Sequence, residues 1–175
     1  ITSMIEGITP LLDDPITSNF RFGLAVIGKH DAGHHAPPLR RHSDMVTNFV
    51  PADEFLEYLQ AMQLMDDGGI EPSIDATMWS MDGSYPFAWA PTSQKVIILM
   101  TDEVAQTITG KTVTEVNNHA LDQGFQIFVF ALPEHHNSFL TMVRGEVDRL
   151  YTPAANSETV FQQIRQIFED LCIGN

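Results

Sequence analysis

The side chains with the clearest chemical potential are Asp102 and Glu103, which close the run Lys95-Val96-Ile97-Ile98-Leu99-Met100-Thr101. Carboxylate oxygens suit a hard divalent cation or a basic group on a partner. The histidines offer a second chemistry. His30-Asp31, followed by His34-His35, supplies imidazole and carboxylate, the ligand types that suit zinc. That stretch lies in residues 28–41, which read as a loop holding Gly28, Gly33, Pro37 and Pro38. Loop spacing imposes no ligand geometry, so solvated histidines are the plainer reading. His135-His136 are read in the same way. Cys172 falls at the end of the last helical pattern, away from any strand tip, and is expected to be a small buried residue. Met45, Met62, Met65, Met78, Met81 and Met100 fall mostly on inward faces, which points to core packing. Neither type of Gly-rich nucleotide loop occurs, and no Gly-x-Ser-x-Gly elbow, so nucleotide chemistry and nucleophilic hydrolysis lack support.

Asp102 owes its position to the run before it. Val96 to Met100 is an unbroken apolar stretch, too short for a helix and rich in β-branched residues, as in a strand buried on both faces. Ligands in open α/β sheets sit beyond the carboxyl ends of such strands. Phe125-Gln126-Ile127-Phe128-Val129-Phe130-Ala131 reads as a second buried strand. Phe20-Arg21-Phe22-Gly23-Leu24-Ala25-Val26-Ile27 reads as another, with short strands expected at 45–50 and 148–151.

Helical periodicity fills the gaps. Ile1, Met4, Ile5, Ile8, Leu11 and Leu12 fall at three- and four-residue spacings, with Pro10 expected to kink the helix and Asp13-Asp14-Pro15 to end it. A helix opened by Pro51-Ala52-Asp53-Glu54 turns Phe55, Leu56, Leu59, Met62 and Met65 inward, and Asp66 to Gly69 form a turn. Pro72 opens a helix carrying Ile74, Met78, Trp79 and Met81. Residues 82–93 read as an irregular insert with exposed aromatics. A helix over 112–123 stops at Gly124, and residues 133–144 are expected to be partly helical. Ser157 caps a last helix with Val160, Phe161, Ile164, Ile167, Phe168 and Leu171 inward. Alternating strands and helices predict an α/β fold, a doubly wound, mostly parallel sheet flanked by helices, in a single domain over 1–175.

The totals narrow the partners. With 23 acidic and 9 basic residues, a formal net charge of -14 disfavours nucleic acid, which needs clustered Lys and Arg. It suits divalent cations or basic protein surfaces, or simply serves solubility. No apolar stretch approaches the roughly 20 residues of a membrane span. One cysteine excludes an internal disulfide framework and a cysteine-rich zinc site.

Three stretches, in this order and spacing, resemble the von Willebrand factor A domain. Phe20 to Gly28 is similar to its second strand. Leu64 to Ala76, LMDDGGIEPSIDA, is similar to its double-Gly loop and the start of its central helix. Lys95 to Glu103 is similar to its fourth strand, of the type Lys-x-Ile-Ile-Leu-x-Thr-Asp-Gly. The resemblance runs from Ile1 through the last helix. It implies a metal-ion-dependent adhesion site holding Mg or Mn, with octahedral, partly hydrated oxygen ligation. The family builds that site from an Asp-x-Ser-x-Ser on strand one, a Thr in the double-Gly loop and an Asp at the tip of strand four. An acidic side chain of a protein ligand completes the shell.

Carried over by position, the implied metal residues are Asp102 and Glu71, the latter standing where the family has Thr. Glu71 and Glu103 each add a negative charge the family lacks there, which disfavours a ligand carboxylate. The Asp-x-Ser-x-Ser motif is not present in these 175 residues. Residues 1–12 then read as the later part of the first helix, with strand one supplied by a preceding segment, for instance one cut from the same precursor. Strand one is central in this family, so without it two apolar strand edges would stand open.

Three functions follow as expectations. The first is a non-enzymatic protein-binding module, for adhesion or recognition, with a Mg- or Mn-dependent site and an extracellular or cell-surface location. The second is a structural subunit of a larger assembly with a degenerate metal site. The third is a metal-dependent hydrolase using Asp102, Glu71 and His30, for which no acid–base pair has an identifiable geometry.

Overall fold

Both long apolar runs form parallel strands. The computed structural model describes residues 2–27, 49–61, 69–83, 87–153 and 156–173. Its elements are α1 (Thr2–Leu12), α2 (Ala52–Ala61), α3 (Ser73–Met81), β1 (Lys95–Met100), α4 (Val113–Gln123), β2 (Phe125–Phe130), α5 (His136–Phe139), β3 (Leu150–Tyr151) and α6 (Ser157–Ile173). The sheet order is β1-β2-β3, all parallel, which is the α/β class expected from the alternation of patterns. None of the described helices is long and apolar enough to cross a membrane. The chain divides into two compact units, one of residues 25–43 and 64–152, the other of 1–24, 44–63 and 153–175.

The first unit holds the sheet. β1 and β2 pair in full register from Lys95 opposite Phe125 to Met100 opposite Phe130. Backbone bonds continue past the strand ends, from Thr101 N–H to the Phe130 carbonyl and from Ala131 N–H to the Tyr151 carbonyl, each 3.0 Å. Phe125, Ile127, Val129 and Ala131 alternate onto one face. There they join Leu99, Ile74, Met78 and Met81 of α3, Val116 and Ala120 of α4, and Phe139, Met142 and Val143 in one apolar core. β2 is buried except for half-buried Gln126, as a strand covered on both faces should be. β1 differs: only Leu99 is fully buried, and among the described residues β1 forms the edge of the sheet.

α3 is buried nearly all round, with Ser73, Asp75 and Thr77 as inaccessible as its apolar residues. α4 begins on a capping box. The Thr112 hydroxyl accepts Glu115 N–H at 3.2 Å, and Glu115 Oε2 accepts Thr112 N–H at 2.7 Å. Gly124, at φ 73°, closes the helix in the left-handed conformation that costs glycine least. Removing the cap with Thr112→Ala is expected to lower stability by about 1 kcal/mol at neutral pH. The Thr112 hydroxyl, then its backbone N–H, hold the Glu115 carboxyl below the usual glutamate range. A lowered folded-state pKa contributes stability above the unfolded value and loses it as pH falls through the folded one. The gap between wild type and Thr112→Ala in urea midpoint should therefore narrow below about pH 4.

In the second unit α1 lies against α6, and residues 20–24 have no regular structure apart from a bridge at Phe22. Leu12, Val50, Phe55 and Leu59 form its small core. Phe20 stacks on Phe168 at 4.7 Å and Phe22 on Phe55 at 5.1 Å. α6 buries Val160, Ile164, Ile167, Phe168 and Leu171, the stripe its periodicity predicts, with Phe161 half-buried at its margin.

Several sequence expectations need correction. Residues 20–27 do not form a laddered strand. Among the described residues, pairing there is confined to isolated bridges, an antiparallel one between Phe22 and Val50 and another at Ile27. A strand is held by pairing along its length, and here the aromatic rings are held by stacking instead. Cys172 is exposed, not buried, because it follows Leu171 by one residue and so lies about 100° off the buried stripe. The last strand is confined to Leu150–Tyr151, because Val147–Arg149 is wound into a 3-10 turn tied by an Arg149–Glu146 ion pair. Phe87 and Trp89 of the insert are half-buried. The Trp89 indole donates to the Ser80 carbonyl at 2.7 Å and meets Phe125 edge-on at 4.9 Å. The inward faces assigned to Met62 and Met65, the turn at 66–68 and the loop histidines at 30–42 lie outside the described residues.

Candidate functional site

The carboxyl end of β1 delivers three consecutive residues with different fates. Thr101 turns inward and is buried, Asp102 is exposed, and Glu103 is half-buried. The Thr101 hydroxyl donates to Glu71 Oε2 at 3.3 Å and accepts Glu103 N–H at 3.1 Å. Glu71 lies two residues before α3, so this contact joins the approach to α3 with the tip of β1. The two residues proposed from sequence, Asp102 and Glu71, thus stand on adjoining segments, with Thr101 between them. Among the described residues Asp102 has no hydrogen-bond or ion-pair partner, and its carboxylate faces solvent.

Beyond Glu103 the chain crosses the start of α3. Gln106 Nε2 donates to Glu103 Oε2 at 2.6 Å. The Gln106 carbonyl accepts Ile74 N–H at 3.0 Å, and Ser73 Oγ accepts Gln106 N–H at 3.4 Å. Asp75, fully buried, accepts Ile108 N–H at 2.8 Å and the Thr109 hydroxyl. On the other flank Ser138 Oγ accepts Ala105 N–H at 3.0 Å and donates to the His135 carbonyl at 2.7 Å. His135 and His136, expected to be solvated, are half-buried, and His136 Nε2 lies 2.9 Å from the Ala131 carbonyl.

Thr101, Ser73, Asp75 and Gln106 were not singled out by the sequence. The one local signal was an acid in the first turn of a helix whose following positions are mostly apolar. That pattern is ordinarily satisfied by the helix dipole alone.

Chemically, the face offers hard oxygen donors. Asp102 and Glu71 fit Mg or Mn in kind. In number they fall short, since among the described residues no group of three His, Cys, Asp or Glu side chains could hold a metal ion. Six-fold coordination would need water or donors from another segment. With Glu103 beside them, the carboxylates concentrate negative charge at this end of the sheet.

No family model and no curated protein matches the chain in sequence. Solved structures do match. Three structures of proximal thread matrix protein 1 from the mussel byssus superpose with TM-scores of 0.68, 0.67 and 0.66, each at 13% identity over 98% of this chain. One of them carries a zinc-occupied MIDAS motif. The chain spans 42% of the length of that protein. At this identity the likeness speaks to the fold.

Proposed function

We propose that this chain, whose fold is of the von Willebrand factor A type, is a non-enzymatic protein-binding module that engages its partner at the carboxyl end of β1. The single observation behind this reading is Asp102, exposed and unpartnered among the described residues at the strand tip where α/β sheets bind ligands. Asp102 and Glu71 would hold a Mg or Mn ion. When bound, the ion would supply open coordination positions for an oxygen donor of a partner. Thr101 orients Glu71 through its hydroxyl, and Glu103 keeps the face acidic.

The remaining donors are proposed to come from a preceding segment that adds a strand beside β1 and completes a single domain over 1–175. The half-exposed apolar edge of β1 supports this. An extracellular or cell-surface setting agrees with a likeness to a thread matrix protein.

Melting with and without Mg or Mn tests the reading. A binding cation stabilises the native state by about 2.7 kcal/mol at a hundredfold excess over its Kd. A rise in Tm with either ion, reversed by chelator and abolished in Asp102→Ala, is expected. A second reading, a structural building block with a degenerate metal site, is favoured by the short donor set among the described residues. An unchanged Tm in both ions would select it.

A further inference from the structure

We propose that Asp75 is a positioning residue for the acidic face, acting through the segment 101–109; the inference rests on the binding role given to Asp102 and Glu71. An acid in the first turn of a helix is usually solvated or bonded to its own helix N–H groups. Asp75 is neither. It is fully buried, and its two oxygens accept from Ile108 and Thr109, 33 and 34 residues along the chain. A buried carboxylate costs free energy unless donors satisfy it. These two donors therefore anchor residues 108–109 on the first turn of α3.

The bonds form a closed circuit. From Asp75 it passes to Ile108, then through Gln106, which is held by Ser73 and Ile74, to Glu103 by way of the Gln106 carboxamide. Glu103 N–H binds the Thr101 hydroxyl, and that hydroxyl binds Glu71, two residues before α3. Both segments that carry the proposed ligand residues are thus referred to one rigid turn. Asp75 is the fully buried acidic residue of this circuit, and it touches neither Asp102 nor Glu71 in any bond described above. Ser73 shares the work from the same turn.

Asp75→Asn keeps the shape and removes one acceptor, turning an NH2 group toward a donor. Amide hydrogen exchange on the chain and manganese affinity, with manganese itself as the probe, test the role. Exchange at Ile108 and Gln106 should quicken about tenfold, the order expected for the loss of one hydrogen bond. Glu103, at the far side of the circuit, should quicken with them while Ile127 and Val129 of β2 stay unchanged. Manganese affinity should fall about tenfold, as when a group orienting metal ligands is lost. Faster exchange confined to Ile108 with Glu103 unaffected would overturn the proposal. Should Asp75→Asn fail to fold, Thr109→Val removes one donor at an exposed position and is judged by the same two amides. If wild type binds no manganese, the metal reading of the face fails, and the exchange pattern alone decides the role of Asp75.

Discussion

Phe125→Ala should lower stability by about 3–5 kcal/mol, the cost of emptying a large aromatic site in a packed core. Phe125 is 2% exposed and belongs to the core that β2 shares with α3 and α4. Its ring meets Trp89 edge-on at 4.9 Å, and the Lys95 ammonium lies 5.1 Å from its centroid. Cavities cost least when neighbours can collapse into them. Here Trp89 cannot follow freely, because its indole N–H is bonded to the Ser80 carbonyl at 2.7 Å. Lys95 is held as well, by a 3.2 Å bond to the Gln123 carbonyl. The upper half of the range is therefore expected. Against a total stability of about 5–15 kcal/mol for a typical domain, the variant would be close to unfolding. The check is a urea titration, in which the midpoint falls with the slope unchanged. A loss below about 0.5 kcal/mol, within the range of ordinary surface changes, would show that the ring is not packed as described.

Gly7→Ala should destabilise, against the usual direction of that change. In an exposed helix interior, alanine is better than glycine by about 1 kcal/mol. At Gly7 a Cβ would lie 2.7 Å from the Ser157 carbonyl oxygen and 2.8 Å from Val160 Cβ and Cγ1. One obstacle is backbone and the other a stiff β-branched residue that is itself fully buried. Neither is the loose end of a flexible chain, so α1 and α6 must separate. Overpacking of this kind costs about 1–3 kcal/mol, which exceeds the gain in helix propensity. A raised urea midpoint for Gly7→Ala would sink the close approach of α1 to α6.

How much of this could be read in advance depends on where each property is encoded. The buried stripe of α6 follows from spacing within one helix, and Val160, Ile164, Ile167, Phe168 and Leu171 all fall where the 3.6-residue period puts them. Both long strands follow from short apolar runs. The place of Asp102 at a strand tip follows from the run that forms β1, since it is the first charged residue past it. The same local logic failed where a residue's environment is set by a distant segment. Trp89 sits in an irregular stretch with no period, and its burial comes from Phe125 and Ser80. Phe20 to Ile27 has the composition of a strand, yet β-propensity expresses fit to a pleated neighbour. Cys172 failed for another reason: one step of 100° separates it from Leu171, and burial by residue type ignored that angle.

By itself, then, the sequence determined the α/β class, the two long strands, the buried stripe of α6 and the acidic tip at the end of β1. These depend on covalent spacing along a regular backbone, which every element carries with it. Only the tertiary structure decided that Thr101 would bind Glu71, and that the buried Asp75 would hold residues 108–109. Those bonds join groups some thirty residues apart. They exist because β1 and the start of α3 end side by side, a fact of packing that no local pattern records.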